Sequence, residues 1–506
     1  MRLKRQARDM ELRRDPDRRP ALLAGERVVR VEAVPLPARL TRPAVLPALR
    51  RFLGPDDRPV NAAGLPAGVD PARAHGELRL FEALFSRDAL IVAETVDPWH
   101  PALTRNTVVR LARLQGRTLH REREEEPGRI PHEVRVPEDP VARRLTAASG
   151  WAWPYYGSVD ATCLWLSAAV RCATREPALL GTAIRGLDGR ERSLAGCAAA
   201  GTRWLVGRLE ASRHTLLESR PMFGTSIENQ VWKDSWDAYS HADGTLATVG
   251  GVASVEVQGL AYDALIAVAS LPELDGAPSA ARLIDLAAQV RRRVLGSCWI
   301  QDSSVSGGGF VALGTDQDDA GRPRPLAVLA SNMGHLLLSG ILDAPETAAL
   351  RERVVEALFD PSLFCAAGFR TLARRERRFR TTGYHTGSSW PWDSYRIACG
   401  LARAGYPRLA ALVRERIVRA CAAAGCFPEF LAVDDADRLI VTDRVIEVVD
   451  ATGRGNRIEQ PPQLMQAWTV AAVAAAKRQH ARRPPNPATG DHEQRILHAL
   501  DAPLRR

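Results

Sequence analysis

The chain has 506 residues, 45% of them hydrophobic and 25% charged, which excludes a disordered, collagen-like or coiled-coil protein. Its net charge is +10, but the basic excess is almost entirely arginine and concentrates near the two ends, so we predict solvated surface and no nucleic-acid partner. No apolar run reaches the ~18 residues of a membrane span, and no apolar segment follows the basic N-terminus. We therefore expect a cytoplasmic protein without a membrane partner, with its eight cysteines reduced.

Helical periodicity dominates the chain from about residue 78 onwards. Before that point the sequence is rich in proline and arginine, and one alternating stretch, Arg27–Val34, predicts a strand. Later strand patterns, such as Leu439–Thr442, are few and short. Apolar residues recur at helical spacing in eleven segments. The predicted helices are Leu80–Val96, Pro101–Gln115, Val159–Arg175, Ser193–Ala211, Val252–Leu271, Ser279–Cys298, Ser331–Leu342, Pro345–Phe359, Ser388–Ala404, Tyr406–Ala424 and Pro462–Lys477.

These helices favour a closed double ring over a solenoid, because the sequence shows no fixed-period repeat. Val159–Ala173 and Val252–Leu271 are apolar on nearly all sides, as the inner helices of a ring should be. We therefore predict an all-α (α/α)6 barrel over residues 75–480. Residues 1–74 form a separate N-terminal segment with some strand, and residues 481–506 form a loose tail with at most one short helix.

Three long loops carry paired tryptophans beside carboxylates or a histidine. Aromatic faces stack on sugar rings while carboxylates accept from the hydroxyls, so the combination indicates a carbohydrate pocket, although a single tryptophan is more often core filler. The densest loop, Glu228–Gly244, holds four carboxylates, two tryptophans and Lys233. The chain has only three lysines, so Lys233 indicates that a compact ammonium group is needed at this position. The alternative is that one lysine codon survived by chance.

Nine segments carry distinctive motifs: Phe85–Leu90, Glu125–Glu133, Tyr155–Thr162, Asn229–Gly244, Glu256–Leu265, Ser331–Leu336, Tyr384–Asp393, Phe427–Phe430 and Gln466–Trp468. In the same order and over roughly residues 80–475, they resemble the motifs of the amylo-α-1,6-glucosidase family of glycogen-debranching-like proteins. The resemblance implies an (α/α)6 barrel and an inverting glycoside hydrolase related to glucoamylases and trehalases, with no cofactor or metal. Such relatives often carry an N-terminal β-sandwich, which we expect to be missing or truncated here.

Inverting hydrolysis needs a carboxylic acid that protonates the leaving oxygen and a carboxylate that activates water on the opposite face of the sugar. Asp237 matches the acid of the related trehalase pattern, and Asp234 is the alternative acid. A purely structural interpretation is that Asp237 caps a helix. Trp232 and Trp236 would raise the pKa of the acid by making its surroundings apolar. A later loop should supply the base, so that the two carboxylates face each other across the ring.

The late Pro-Glu element of the family matches Glu429, which is the predicted base, and Glu459 is the alternative. Arg87 and Asp88 resemble the pair with which glucoamylases hold the 4- and 6-hydroxyls of the terminal glucose, although an internal salt bridge would also explain them. Further candidates for the sugar-binding wall are Asp160, Trp232, Lys233, Trp236, His385, Trp390 and Asp393.

One motif indicates another class of function. Asp316, Asp318 and Asp319 form a DxDD string, which in terpene cyclases of the same ring architecture supplies the protonating acid, but the hydrophilic turn sequence after it favours a solvated loop. A sugar-binding barrel without catalysis is a further alternative. We predict release of a terminal glucose from an α-linked, most simply α-1,6-linked, oligosaccharide or glycogen-like substrate, with trehalase-like or mannosyl-specific activity as alternatives on the same barrel. The sequence makes no prediction of oligomeric state.

Overall fold

The computed structural model describes residues 27–31, 49–54, 58–59, 62, 81–248, 251–440, 446–449, 455–458, 462–479 and 488–501. Twelve α-helices with defined bounds lie in these ranges. None of them is long and apolar enough to cross a membrane. In chain order, α1 to α12 are Ser86–Val96, Pro101–Arg113, Pro140–Ser149, Asp160–Arg175, Leu194–Ala211, Val255–Ala269, Ala280–Ser297, Ala348–Leu358, Pro391–Arg403, Pro407–Ala424, Ala467–Arg478 and Gly490–Asp501.

Six segments close into an inner ring. In order around the ring they are α1, α4, α6, the 3-10 segment Ser331–Leu337, α9 and α11, and α11 packs back against α1. Five outer helices cover them: α2 lies on α1, α5 on α4, α7 on α6, α8 on the 3-10 segment and α10 on α9. The predicted (α/α)6 barrel is confirmed. The predicted domain boundaries remain predictions.

The burial of each helix follows its place in the ring. Residues 467–476 of inner helix α11 are all buried, and alanines make up six of these ten, which allows neighbouring helices to approach on several sides. Outer helix α7 instead buries one stripe, at Leu283, Leu286, Ala287, Val290 and Val294, and leaves its other face to solvent. Each buried leucine or valine side chain contributes roughly 1.5–3 kcal/mol, so the stripe is enough to hold an outer helix in place.

The strands are short and lie in the loops between helices. Two three-stranded antiparallel sheets occur, with strand orders β1-β17-β18 and β12-β11-β8, and the other strands form two-stranded pairs. The strands β1 to β18 are Arg27–Val31, Leu53–Gly54, Arg58–Pro59, Leu84–Phe85, Glu133–Val134, Ala183–Arg185, Glu191–Ser193, Ala253–Ser254, Trp299–Gln301, Gly309–Val311, Gly314–Gln317, Pro323–Pro325, Phe364–Cys365, Gly368–Phe369, Ala432–Val433, Leu439–Ile440, Ile446–Val449 and Gly455–Ile458.

The predicted α-helix at Ser331–Leu342 is wrong, because the segment forms two 3-10 turns, Ser331–Leu337 and Gly340–Leu342. Tertiary contacts override the helical periodicity at this point. A Cβ on Gly334 would lie 2.8 Å from Ile397, so α9 packs directly on its backbone. The side chain of Asn332 donates to the carboxylate of Glu256 from inner helix α6, at 2.8 Å.

Helix α3 was not predicted, although its capping signals are present in the sequence. Asp139 accepts hydrogen bonds from the backbone N–H groups of Val141 and Ala142, and Pro140 occupies the first helical position. Gly150 ends the helix in the left-handed conformation that glycine favours. The short helix expected in the tail corresponds to α12.

Gly128 provides a test of the packing between the loop after α2 and helix α5. Its φ is +93°, and a Cβ would lie 2.1 Å from the backbone oxygen of Ala200. We expect Gly128→Ala to lower the midpoint of thermal unfolding, because both the conformation and the contact oppose a side chain. Gly207, exposed within α5 and with open space around it, is the matched control. Gly207→Ala should stabilise the fold by roughly 0.5–1 kcal/mol. Equal midpoints for Gly128→Ala and the unmodified protein would contradict this packing.

Candidate active site

The first turns of the inner helices bring buried polar residues to one end of the barrel. Arg87 and Asp88 open α1, Asp160 opens α4, Glu256 opens α6 and Asp393 opens α9. All five are buried. Because each inner helix is followed by an antiparallel outer one, the inner helices run parallel and their N-terminal ends meet. A buried polar cluster is the result.

Arg87 pairs with Asp160, not with its neighbour Asp88. Its Nε donates to the Asp160 carboxylate at 2.7 Å, and the hydroxyl of Ser158 donates to the same carboxylate. The internal salt bridge considered for the Arg87–Asp88 pair is therefore replaced by a bridge between α1 and α4. Two of the predicted sugar-binding residues, Arg87 and Asp160, form one rigid unit.

Asp88 forms no ion pair with any described arginine or lysine. Burial raises the pKa of Asp88 to about 7, the nearby guanidinium of Arg87 acts in the opposite direction, and the charge of Asp234 raises the pKa further. Asp88 is therefore a carboxyl group that can hold a proton near neutral pH. It can donate to or accept from a hydroxyl of a bound sugar.

Glu429 lies on the loop before β15 and is 1% exposed. The hydroxyl of Tyr384 donates to its Oε1 at 2.6 Å, and the backbone N–H of Gln463 donates to its Oε2 at 3.2 Å. Burial raises the pKa of Glu429 to about 8, these two donors oppose the rise, and the charges of Asp88 and Asp234 add to it. Tyr384 is a residue that sequence reasoning did not single out, although it lies within a matching segment beside His385.

The loop Glu228–Gly244 brings Asp234 into this group of charges. The charge of Asp234 acts on Arg87, Asp88 and Glu429 together. Asp237 is half-buried, three residues further on, in a turn closed by a hydrogen bond from the N–H of Ala238 to the carbonyl of Ser235, at 3.2 Å. The structure thus ties Asp234 to the carboxylates around Glu429, and Asp237 as the acid stays a prediction.

His385 anchors that loop and stays neutral. The backbone N–H of Ser235 approaches its Nδ1 at 3.3 Å, and the Ser235 hydroxyl lies 2.9 Å from the same nitrogen. Burial, with the charges of Lys233 and Arg87, holds the pKa of His385 well below its usual range. Because Nδ1 accepts, the proton belongs on Nε2, which is buried and has no hydrogen-bond partner among the described residues. It is available to a ligand oxygen.

Aromatic rings form the wall behind these groups. The ring centroid of Trp392 lies 5.0 Å from that of Trp232 and 4.9 Å from that of Trp468. The indole N–H groups of these three residues are buried without an acceptor in the described part of the chain. Trp390 differs, because its N–H donates to the carbonyl of Tyr384 at 2.8 Å and its ring stacks on His385. Trp390 therefore supports the wall rather than offering a donor.

Lys233 and Asp393 lie next to the wall, because Lys233 Nζ is 5.1 Å from the ring centroid of Trp232 and Asp393 is bonded to His335, whose ring stacks on Trp232. Lys233 is 1% exposed, and its Nζ donates to the carbonyl of Thr371 at 2.6 Å. Burial lowers its pKa to about 8, and the charges of Asp393 and Glu256 oppose the fall. Asp393 accepts from His335 Nε2 at 2.6 Å with one oxygen, and its other oxygen has no partner among the described residues.

The remaining predicted residues lie apart from this cluster or outside the described ranges. Trp236 is half-buried, with the guanidinium of Arg378 5.7 Å from its ring centroid. Glu459, the alternative base, lies outside the described residues. In the DxDD string, Asp318 accepts from Arg322 across an exposed turn, as expected for a solvated loop, but Asp316 is buried.

Asp316 does not suit a protonating acid. Its carboxylate accepts two hydrogen bonds from the guanidinium of Arg324, at 3.0 and 2.8 Å, and lies 2.9 Å from Nε2 of His241. Burial acts to raise the pKa of Asp316, but these partners and the N–H of Thr248 bring it below the usual range. An acid must hold its proton, so the geometry opposes the terpene-cyclase interpretation.

A family model, the mannosylglycerate hydrolase MGH1-like glycoside hydrolase domain, matches residues 182–435, about half of the chain. The chain belongs to this family. It is accordingly a glycoside hydrolase of the (α/α)6 type, as predicted. The family model does not, however, correspond to the debranching subgroup that the sequence motifs resemble. No curated protein matches this MGH1-like chain.

Solved structures share the fold of this MGH1-like protein. The GH63 mannosylglycerate hydrolase from Thermus thermophilus in complex with Tris has a TM-score of 0.53 at 15% identity, over 86% of this chain and 99% of the other. Its complex with Tris and D-glycerate gives 0.52 at 15% identity, over 86% and 99%. An uncharacterised conserved protein from the same organism gives 0.50 at 14% identity, again over 86% and 99%.

Glu429 should make the stability of this MGH1-like fold depend on pH. Its pKa is about 8 in the folded chain against an ordinary value of 4.5, so the folded state holds a proton that the unfolded chain releases between these pH values. The free energy of unfolding should therefore fall as the pH rises from about 4.5 to about 8. Glu429→Gln, which stays neutral, should unfold at a higher temperature than the unmodified protein at pH 8, with the difference shrinking towards pH 5.

The matched control is Glu273→Gln, which changes an exposed glutamate in the loop after α6. Its difference from the unmodified protein should be the same at both pH values. Thermal unfolding followed by circular dichroism measures both variants. A Glu429→Gln variant that is less stable at pH 8 than at pH 5, relative to the unmodified protein, would contradict the buried, protonated state of this group.

Proposed function

We propose that this glycoside hydrolase acts with inversion and removes one terminal sugar from an α-linked glycoside that has a small aglycone. The observation that supports it best is the environment of Glu429. A buried carboxylate held by two donors, Tyr384 and the N–H of Gln463, has a fixed position and orientation. Such a group is suited to orient one water molecule and to take a proton from it.

Glu429 is the proposed general base. To act it must be ionised, which burial opposes by raising its pKa to about 8 and which both of its donors favour. The positive charge that develops on the sugar ring in the transition state favours it further. Water attacks the anomeric carbon from the side of Glu429, the bond to the leaving oxygen breaks on the opposite side, and the water proton passes to the glutamate.

The proposed general acid is Asp237, and Asp234 is its direct competitor. The charge of Asp234 acts on Arg87 and Asp88, so Asp234 lies close to the proposed sugar-binding groups. A carboxyl group in this position is suited to bind a hydroxyl of the sugar, so we assign Asp234 to sugar binding. We therefore assign the protonation of the leaving oxygen to Asp237, which lies in a half-buried turn.

The sugar itself would lie among the polar ends of the inner helices. The Arg87–Asp160 unit and Asp88 supply donors and acceptors for adjacent hydroxyls, and the Nε2–H of His385 supplies another donor. The indole N–H groups of Trp232 and Trp392 are further buried donors without acceptors among the described residues. Because a buried polar group without a partner is costly, a hydroxyl-rich ligand that satisfies these groups is favoured over an apolar one.

The substrate class rests on two lines of support that differ. The sequence motifs favour an α-1,6-linked glucose, whereas the matching family model is described as mannosylglycerate hydrolase MGH1-like. We propose a small α-glucoside or α-mannoside over a branched polysaccharide, because Glu429 and Asp88 are almost fully buried and a site this enclosed is suited to one sugar at a time.

A product screen tests this proposal. Isomaltose, panose, maltose, trehalose, mannosylglycerate and a limit dextrin should be compared, and we expect the small glycosides to be cleaved faster than the dextrin. Proton NMR of the early reaction should show the β-anomer first, because water enters opposite the leaving group. An α-anomer as the first product would overturn inversion, and internal cuts in the dextrin would overturn action at the chain end.

Substitutions can separate the acid from its competitor. Asp237→Asn should lower kcat for an ordinary α-glycoside by about 10²–10⁴-fold. The loss should be much smaller for an α-glycosyl fluoride of the same sugar, because fluoride leaves without a proton. Glu429→Gln should lose both reactions, because each needs activated water.

The same pair of substrates should be applied to Asp234→Asn, which keeps the size of the side chain. Poor turnover of both the glycoside and the fluoride would agree with a role in sugar binding. Preserved turnover of the fluoride by Asp234→Asn, but not by Asp237→Asn, would assign the acid to Asp234 instead. Asp318→Asn, on an exposed turn, is the control and should change neither rate.

A further inference from the structure

A cavity lies on the outer surface of the barrel, against helix α2. Its volume is about 480 Å³, and β3 and the hairpin of β6 and β7 complete its walls. Five arginines line it: Arg58, Arg105, Arg110, Arg113 and Arg185. No aspartate or glutamate is among its described lining residues. None of the residues assigned to the catalytic pocket lines it either, so an inference about it does not rest on the proposed function.

The arginines are only partly neutralised by their neighbours. Arg105 pairs with Glu176 at 3.2 Å in an exposed ion pair. Among the described residues, Arg110, Arg113 and Arg185 form no ion pair, although Glu191 lies opposite Arg185 across the β6–β7 hairpin. At least three guanidinium groups therefore face the cavity region without a described carboxylate bonded to them.

Arg110 lies deepest among these groups. It is partly buried on α2, and its Nε is buried with no hydrogen-bond partner in the described ranges. Burial lowers the pKa of Arg110, and the positive charges of Arg58 and Arg113 lower it further. A buried donor without an acceptor is costly, and so is a like charge beside it. The C-terminal end of α2 favours nearby cations, but this effect is small and does not extend to arginines on other elements.

The arrangement of the arginines differs from that of a solvated arginine surface. Arg110 and Arg113 are three residues apart and thus lie on one face of α2, while Arg58 and Arg185 come from two separate strands. Three elements distant in sequence therefore place the same charge around one concave space. Arginine forks match the oxygens of a phosphoryl group through paired N–H···O hydrogen bonds.

We propose that this cavity binds a small phosphorylated anion that carries at least two negative charges. The volume of the cavity is within the range of small-ligand pockets. A cavity of this size can be filled by a small molecule but not by a macromolecule. A bound anion neutralises the opposed guanidinium groups and supplies an acceptor for the Nε of Arg110. The site lies on the outer side of α2, so its occupant does not enter the reaction.

Inorganic pyrophosphate is the probe for a calorimetric titration of the full chain. The variant Arg110→Gln/Arg113→Gln removes two charges from the cavity, and Arg292→Gln/Arg293→Gln removes two exposed charges from α7 as the matched control. We expect saturable binding to the unmodified protein and to the control. The cavity variant should bind at least about tenfold more weakly, because charge-assisted hydrogen bonds are lost. Circular dichroism and thermal unfolding verify that both variants fold.

Four outcomes would overturn this proposal. The first is an absence of saturable binding to the unmodified protein, and the second is an equal loss of affinity in both variants, which would indicate general charge attraction. The third is tighter binding of a single-stranded RNA than of pyrophosphate at equal ionic strength, which would indicate a nucleic-acid surface. Sulfate and citrate at matched ionic strength then distinguish a need for phosphoryl geometry from a need for charge alone, and citrate binding as tightly as pyrophosphate would also contradict the phosphoryl assignment.

Discussion

The burial of several carboxylates around one guanidinium is the constraint on which the pocket depends. Asp88, Asp234 and Glu429 act on one another electrostatically, and Arg87 brings an opposing charge close to Asp88 and Asp234. Such a group is stable only when protons, hydrogen-bond donors and packing offset the loss of water. The barrel meets this requirement by anchoring each carboxylate to a different element, so that no single element carries the whole cost.

This constraint also accounts for the histidine and the aromatic wall. A charged His385 would add a further cation beside Lys233 and Arg87, and burial with these two charges keeps it neutral. A neutral histidine can accept from Ser235 and still offer a donor on its other side. The tryptophan rings exclude water around these groups, which strengthens each hydrogen bond that they make.

The sequence predicted the architecture well and the local geometry less well. Periodicity located ten of the eleven predicted helices, because an inner or outer helix must bury a continuous face. It failed at Ser331–Leu337, where contacts with α6 and α9 decide the backbone. The residue types of the pocket were also predictable, since tryptophan beside carboxylate is typical of sugar sites. The partner of Arg87 was not, because Asp160 is 73 residues away and only the closed ring brings α1 and α4 together.

Ser235 has a structural role that motif comparison cannot reveal. It lies between Asp234 and Asp237, and it is fixed by His385 on one side and by the amide of Asn229, which donates to its carbonyl at 2.8 Å, on the other. Glu429 is fixed independently, by Tyr384 and the backbone of Gln463. In an inverting enzyme the space between acid and base must admit a water molecule. Under the proposed assignment, these two sets of hydrogen bonds in the loops set that separation, while the helices determine which residues can meet.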